Sequence, residues 1–149
     1  MKLRINPMKA NPEAYQTMLK LESFVHESGL DPKLVGLIKI RASQINGRAF
    51  CLDMHVNEQR KKGESEQKMH HLSVWRESPL FTEAEKAVLA LTEAATLIAG
   101  RGVPDDVYEE VRRHFDEKDF VSLMMAIVAI NGWNRLVISS GMYPGCADS

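Results

Sequence analysis

Apolar residues recur along this chain every three to four positions, and no run between turn signals alternates strictly. That pattern predicts helices and no strands. The segment from Glu13 to His26, after Pro12, carries Tyr15, Met18, Leu19, Leu21 and Val25 mostly on one face, and Ser28-Gly29 stops it. Asp31-Pro32 reads as an N-cap followed by proline at the first helical position. The helix it opens carries Leu34, Val35, Leu37, Ile38, Ile40 and Ala42 and ends near Asn46-Gly47. A third helix starts at Arg48 or Ala49 and runs to Lys62-Gly63, and a fourth covers Ser65 to Val74 before Ser78-Pro79. Thr82 with Glu85 forms a capping box, a side-chain oxygen answered by a carboxylate three residues on. The fifth helix that it opens has Ala84, Val88, Leu91, Ala95 and Ile98 as its stripe, with a turn at Gly100 to Pro104. Asp105 to Phe115 forms a short polar helix, and Asp119 caps a long final one through Ile138. Ser139-Ser140-Gly141 and Pro144-Gly145 loosen the tail. The expected fold class is all-α, one domain over residues 1–149 with about six or seven helices.

Composition narrows the function classes. At roughly 100–200 residues per domain, 149 residues make one domain. A chain of this size buries about 68–70% of its unfolded surface, enough for a core without disulfides or structural metal. With 44% hydrophobic residues and a net charge of −1, intrinsic disorder is excluded. The balance of 19 basic against 20 acidic residues argues against nucleic acid as a partner. From Val121 to Asn134 the chain is free of charge, but these 14 residues fall short of the ~20 that span a bilayer, so no membrane partner is expected. Only Ser122 is polar between Val121 and Ile130. A helix apolar nearly all round is buried on most sides, in the core or in a subunit interface. Met1 to Met8 holds no apolar run of the secretory kind, so the expected location is cytoplasmic. Two cysteines, Cys51 and Cys146, are too few for a disulfide scaffold.

The chemistry concentrates between Arg41 and His55. Cys51 lies in the first turn of the third helix, where N–H groups and the macrodipole favour an anion. Arg48, three residues earlier, can lower the thiol pKa further, and His55, four residues later, shares its face. Cys-x-x-x-His supplies a thiol with a proton partner, the minimum for an activated cysteine. The bland alternative is a buried filler cysteine. A metal centre is not expected: Cys51, His55 and His70-His71 lack a second paired-ligand motif. His26 and His114 read as surface residues. Glu93 sits among Ala90, Leu91, Ala94 and Leu97, either as an acid of raised pKa or as the partner of Arg41 or Arg135. Asn131, Trp133 and Asn134 either line a pocket or pack and cap a helix end. Cys146 is either a second working thiol or an incidental tail cysteine.

Four strings carry a family resemblance: RASQINGRAFCLDMH from Arg41 to His55, Trp75-Arg76-Glu77, the run from Phe81 to Ala94, and NGWNRL from Asn131 to Leu136. Together they resemble the carboxymuconolactone decarboxylase superfamily on its alkylhydroperoxidase, AhpD-like branch, over roughly residues 30–140. The resemblance implies an all-α fold, obligate homo-oligomers (trimers, or hexamers built from them) and thiol peroxidase activity where the motif is complete. Redox-active members carry Cys-x-x-Cys-x-x-x-His, and the first cysteine falls on Arg48 here. Cys51 and His55 match the second cysteine and the histidine. A relay glutamate about a dozen residues before the first cysteine falls on Gly36. A disulfide between neighbouring cysteines and a relay through position 36 are therefore both lost.

The resulting expectation is an antioxidant, peroxiredoxin-type thiol peroxidase or oxidoreductase with one active-site cysteine, acting on a hydroperoxide or another small molecule. Cys51 and His55 are its catalytic pair, and Arg48 and Glu93 support them. Cys51 would pass through a sulfenic acid and need an external thiol reductant, with no cofactor and no metal. Two alternatives stand beside it. One is a non-redox, decarboxylase-like enzyme in which Arg48 grips a substrate carboxylate. The other is a catalytically degenerate oligomeric member.

Overall fold

The computed structural model describes residues 2–143 and 146. Among them are nine α-helices, one 3₁₀ segment and no strand: α1 Pro7–Ala10, α2 Pro12–His26, α3 Pro32–Ile45, α4 Ala49–Lys61, α5 Glu66–His70, the 3₁₀ segment His71–Glu77, α6 Glu83–Thr96, α7 Ile98–Arg101, α8 Asp105–Arg112 and α9 Glu117–Ser140. The count exceeds six or seven because the one-turn helices α1 and α7 carry too little periodicity to register.

Local chemistry sets most helix starts. The Asn11 side chain accepts from the Ala14 amide at 3.1 Å, and Asp31 accepts from Lys33 at 2.9 Å. The Thr82–Glu85 box closes in both directions, at 2.9 and 3.1 Å. Each such cap is worth about 1 kcal/mol. Three expectations need correcting. The N-cap of α9 is Asp116, whose carboxylate accepts from the Asp119 amide at 2.8 Å, so Asp119 lies inside the first turn. The stretch from Ser65 to Val74 is not one α-helix, because the chain tightens to 3₁₀ winding at His71. That winding eclipses positions three apart and so turns Leu72 and Trp75 into the core together. Ile98 leaves the α6 stripe: α6 ends at Thr96, Leu97 turns the chain, and Ile98 is exposed.

α3 is the organising helix because it is apolar on both sides. Leu34, Val35, Ile38 and Ala42 pack with Ala87, Val88 and Leu91 of α6 and with Leu123, Ala126, Ile127 and Ile130 of α9. On its other side, Leu37 and Ile40 meet Met69, Leu72, Trp75, Phe81 and Leu89, with Leu52 and Val56 of α4 packed against them.

α9 is 24 residues long, extending well past the charge-free run on both sides, and by length and composition alone it could cross a membrane. Half of its most apolar window is buried inside the protein, and it packs on α2, α3, α6 and α8. It therefore reads as a core helix. Val121 and Val128, two turns apart on one face, stay exposed, and Ile138 is exposed on a different side of the helix.

Two turns place the chain around Cys51. α3 ends in a Schellman motif, with the Arg48 amide on the Ser43 carbonyl at 2.9 Å and the Gly47 amide on Gln44 at 3.1 Å. Gly47 has φ +67°, which glycine adopts without a Cβ penalty. At the far end of α9, Gly141 (φ +74°) lets the N-terminal segment come close, and the amides of Arg4 and Ile5 bond the Ser140 carbonyl. The expected loose turn at Pro144-Gly145 lies outside the described residues.

Candidate active site at Cys51

The Schellman turn swings the chain into α4 with Arg48 as its N-cap residue and Cys51 in its first turn. Cys51 and His55, one turn apart, line one cavity of about 450 Å³. α2 contributes Tyr15, Leu19 and Glu22 to its wall, α3 Lys39, α4 Met54 and Glu58, and α9 Trp133, Leu136 and Val137. The N-terminal segment with Leu3 and Met8, and the C-terminal Met142 and Cys146, complete it. Cys51 is 1% exposed and His55 5%.

The wall is held by charge and ring contacts. Glu22 accepts from the Trp133 indole N–H at 2.9 Å with one oxygen and from Lys39 Nζ at 3.0 Å with the other. Tyr15 meets Trp133 edge to face, with centroids 5.3 Å apart. His55 Nδ1 lies 3.2 Å from Glu58 Oε2. A carboxylate only accepts, so this contact places the proton on Nδ1 and leaves Nε2 as the basic nitrogen.

Burial is the largest influence on both groups. It pushes the Cys51 thiol up, and the Arg48 charge offsets only part of that rise. The expectation that the helix terminus and Arg48 leave a resting thiolate is therefore reversed in sign. For His55, burial pushes the pKa down, the Glu58 bond opposes it, and the Lys39 charge adds to the lowering. At neutral pH the pair is a thiol beside a neutral imidazole.

The other expected residues fall elsewhere. The Arg48 guanidinium donates to the Met142 carbonyl at 3.4 Å, and its side chain lines a second opening with Lys2 and Arg4. Glu93 does not reach the Cys51 cavity. Its oxygens accept from Arg41 Nε and Nη2 at 3.0 and 2.9 Å, from Trp75 Nε1 at 2.8 Å and from Arg76 at 2.8 Å. Burial raises the Glu93 pKa, but these donors together hold it below the usual carboxylate range. It is an ionised hub joining α3, the 3₁₀ segment and α6, and not an acid of raised pKa. Arg135 bonds Asn131 instead.

Of the α9 residues, Trp133 lines the cavity. Asn131 ties Asn46 at the α3–α4 corner to Thr96 and supports the turn that presents Cys51. Asn134 is buried beside Ser43. His26 and His114 are exposed, as their polar surroundings in the chain suggest. Among the described residues no three His, Cys, Asp or Glu side chains converge as metal ligands.

Position 36 has a physical account. A Cβ built on Gly36 would fall 1.8 Å from Gln59 Oε1. Gln59 is fully buried and donates to the Lys33 carbonyl at 2.7 Å. Its amide fills the space that a side chain at 36 would enter, and the carboxylate that meets His55 comes from Glu58 instead. Glu58 could have been found by its i+3 spacing from His55. Glu22 and Lys39 gave no signal, because their meeting depends on how α2 packs on α3.

A family model for carboxymuconolactone decarboxylases matches residues 12–94. The chain belongs to the carboxymuconolactone decarboxylase family. It is 42% identical to the uncharacterised protein YdfG of Bacillus subtilis, over 95% of this chain and 96% of that one. A solved protein of unknown function from Agrobacterium tumefaciens, to which an AhpD antioxidant-defence role has been ascribed, superposes with a TM-score of 0.92. It is 49% identical, covering 95% of this chain and 97% of its own. The debrominase Bmp8 superposes at 0.83 with 18% identity, covering 94% and 75%, a likeness of fold alone. The fold is AhpD-like, as the motif strings implied.

Proposed function

We propose that this carboxymuconolactone decarboxylase family member is a thiol peroxidase in which Cys51 reduces an organic hydroperoxide with His55 as its proton partner. The observation that carries the reading is that Cys51 and His55 line the same largely apolar cavity. His55 Nε2 accepts the Cys51 proton as the sulfur attacks the distal peroxide oxygen. The O–O bond breaks, the alkoxide takes the proton back from His55, and the products are Cys51 sulfenic acid and an alcohol. The leaving group is protonated in the same event, so no resting thiolate is needed.

Met54, Leu136, Val137 and the Trp133 face suit an alkyl or aryl hydroperoxide better than hydrogen peroxide. Turnover needs an external thiol, as in a reducing cytoplasm. We further propose a homo-oligomer joined through the exposed Val121–Val128 face of α9. The test of the peroxidase reading is peptide mapping of Cys51 oxidation after one equivalent of cumene hydroperoxide. About one oxidised Cys51 per chain is expected, as the sulfenic acid or a disulfide formed from it, and no such oxidation in Cys51→Ser. An unmodified Cys51 contradicts the reading.

The decarboxylase-like alternative asks Arg48 to hold a substrate carboxylate. It is the weaker reading, because Arg48 is not among the residues lining the Cys51 cavity.

A further inference from the structure

Cys146 lies five residues beyond the C-cap of α9, yet it is 2% exposed and lines the same cavity as Cys51 and His55. Its Gly/Pro surroundings in the chain gave no sign of that burial. Its Sγ accepts from the Tyr143 amide at 3.4 Å, and its own amide donates to the Tyr143 carbonyl at 3.0 Å, so two bonds tie Cys146 to Tyr143. The start of this segment is tied down twice. The Met142 amide bonds the Val137 carbonyl at 3.2 Å, and Arg48 donates to the Met142 carbonyl at 3.4 Å. Arg48 is the N-cap residue of the helix that carries Cys51. One side chain therefore links the start of the Cys51 helix to the segment that delivers the second thiol.

We infer that Cys51 and Cys146 of one chain form a redox pair, with Cys146 as the resolving thiol and Arg48 as the tether that holds its segment at the cavity. The inference rests on the peroxidase reading only for what oxidises Cys51. The Cys146 sulfur attacks the Cys51 sulfenic acid. The S–S bond forms as the S–O bond breaks, and the hydroxyl leaves as water with the Cys146 proton. An external dithiol then reduces the disulfide to two thiols and is itself oxidised to a disulfide. A 95-residue separation between the cysteines is no obstacle, since the fold already brings both to one cavity.

The test uses the reduced full-length protein, treated separately with one equivalent of diamide and one of cumene hydroperoxide, then alkylated and mapped without reduction. Diamide oxidises neighbouring thiols whether or not the protein reduces peroxides. The expected product of both treatments is a Cys51–Cys146 peptide within a single chain. It is lost in Cys146→Ser, which instead keeps Cys51 as a trappable sulfenic acid after peroxide. Arg48→Ala should close the disulfide at least severalfold more slowly once Cys51 is oxidised. If Cys51 becomes oxidised while Cys146 still alkylates fully, the pairing is wrong and the peroxidase reading stands. If diamide links the pair but peroxide leaves both thiols intact, the pair stands and the peroxidase reading falls. If neither oxidant modifies Cys51, both fall.

Discussion

At the scale of single residues, burial decides more than local charge does. Spacing alone puts Cys51 beside a cation and a helix terminus, and both favour thiolate. The fold then removes solvent, and the pKa moves the other way. Alkylation of native Cys51 by iodoacetamide should therefore rise with pH to an inflection above that of the same thiol in the urea-unfolded chain. An inflection below it contradicts the burial account. The stability linked to this thiol has a definite sign. A raised folded pKa contributes fully below the unfolded thiol value and is lost as pH climbs through the folded one. Glu93 carries the opposite sign. Its carboxylate is held down by Trp75, Arg76 and Arg41, so its contribution is present above the ordinary carboxylate range and fades on acidification. Glu93→Gln should cost about 2 kcal/mol at pH 7 in chemical denaturation, mostly by stranding half-buried Arg41. The gap between variant and wild type should narrow towards pH 3. Arg76 is 63% exposed and adds little.

At the scale of elements, Gly36 and Gln59 act as a unit joining α3 to α4. Gly36→Ala drives a methyl into the buried Gln59 amide and should cost about 1–3 kcal/mol, read as a lowered urea midpoint. Gly36→Ala/Gln59→Ala should be less destabilised than the sum of its single variants. Additivity would show that the two positions do not share one space.

Much of this layer was legible in the chain. Asp31-Pro32, Thr82 with Glu85 and Asn46-Gly47 mark boundaries through interactions confined to a few residues, and these hold. Cys51 and His55 share a face through their own helical spacing. What escaped depends on packing between elements. The 3₁₀ segment forms where Leu72 and Trp75 must both reach the core. The Glu22–Lys39–Trp133 wall needs three helices in register. The burial of Cys146 depends on where α9 ends and what folds back over it.

At the scale of the whole molecule, α9 supplies core on most sides and leaves Val121 and Val128 uncovered on one face. In a homo-oligomer joined there, Val128→Glu buries an unpaired charge in the contact, and light scattering should find a smaller species with unchanged helicity. A wild type that runs as a monomer at micromolar concentration contradicts that interface. The same scale explains why the fold does not decide the chemistry. The helices that frame this cavity superpose on a debrominase as well as on a protein with an ascribed antioxidant role. In the proposed peroxidase, function rests on the side chains inside it: a buried thiol, a neutral imidazole oriented by Glu58, and an apolar wall closed by Trp133. The most direct test of that claim is the second-order rate of cumene hydroperoxide consumption by the reduced protein from pH 6 to 9. Wild type should react at least tenfold faster than Cys51→Ser and His55→Asn at every pH. Equal rates in all three proteins would contradict the account.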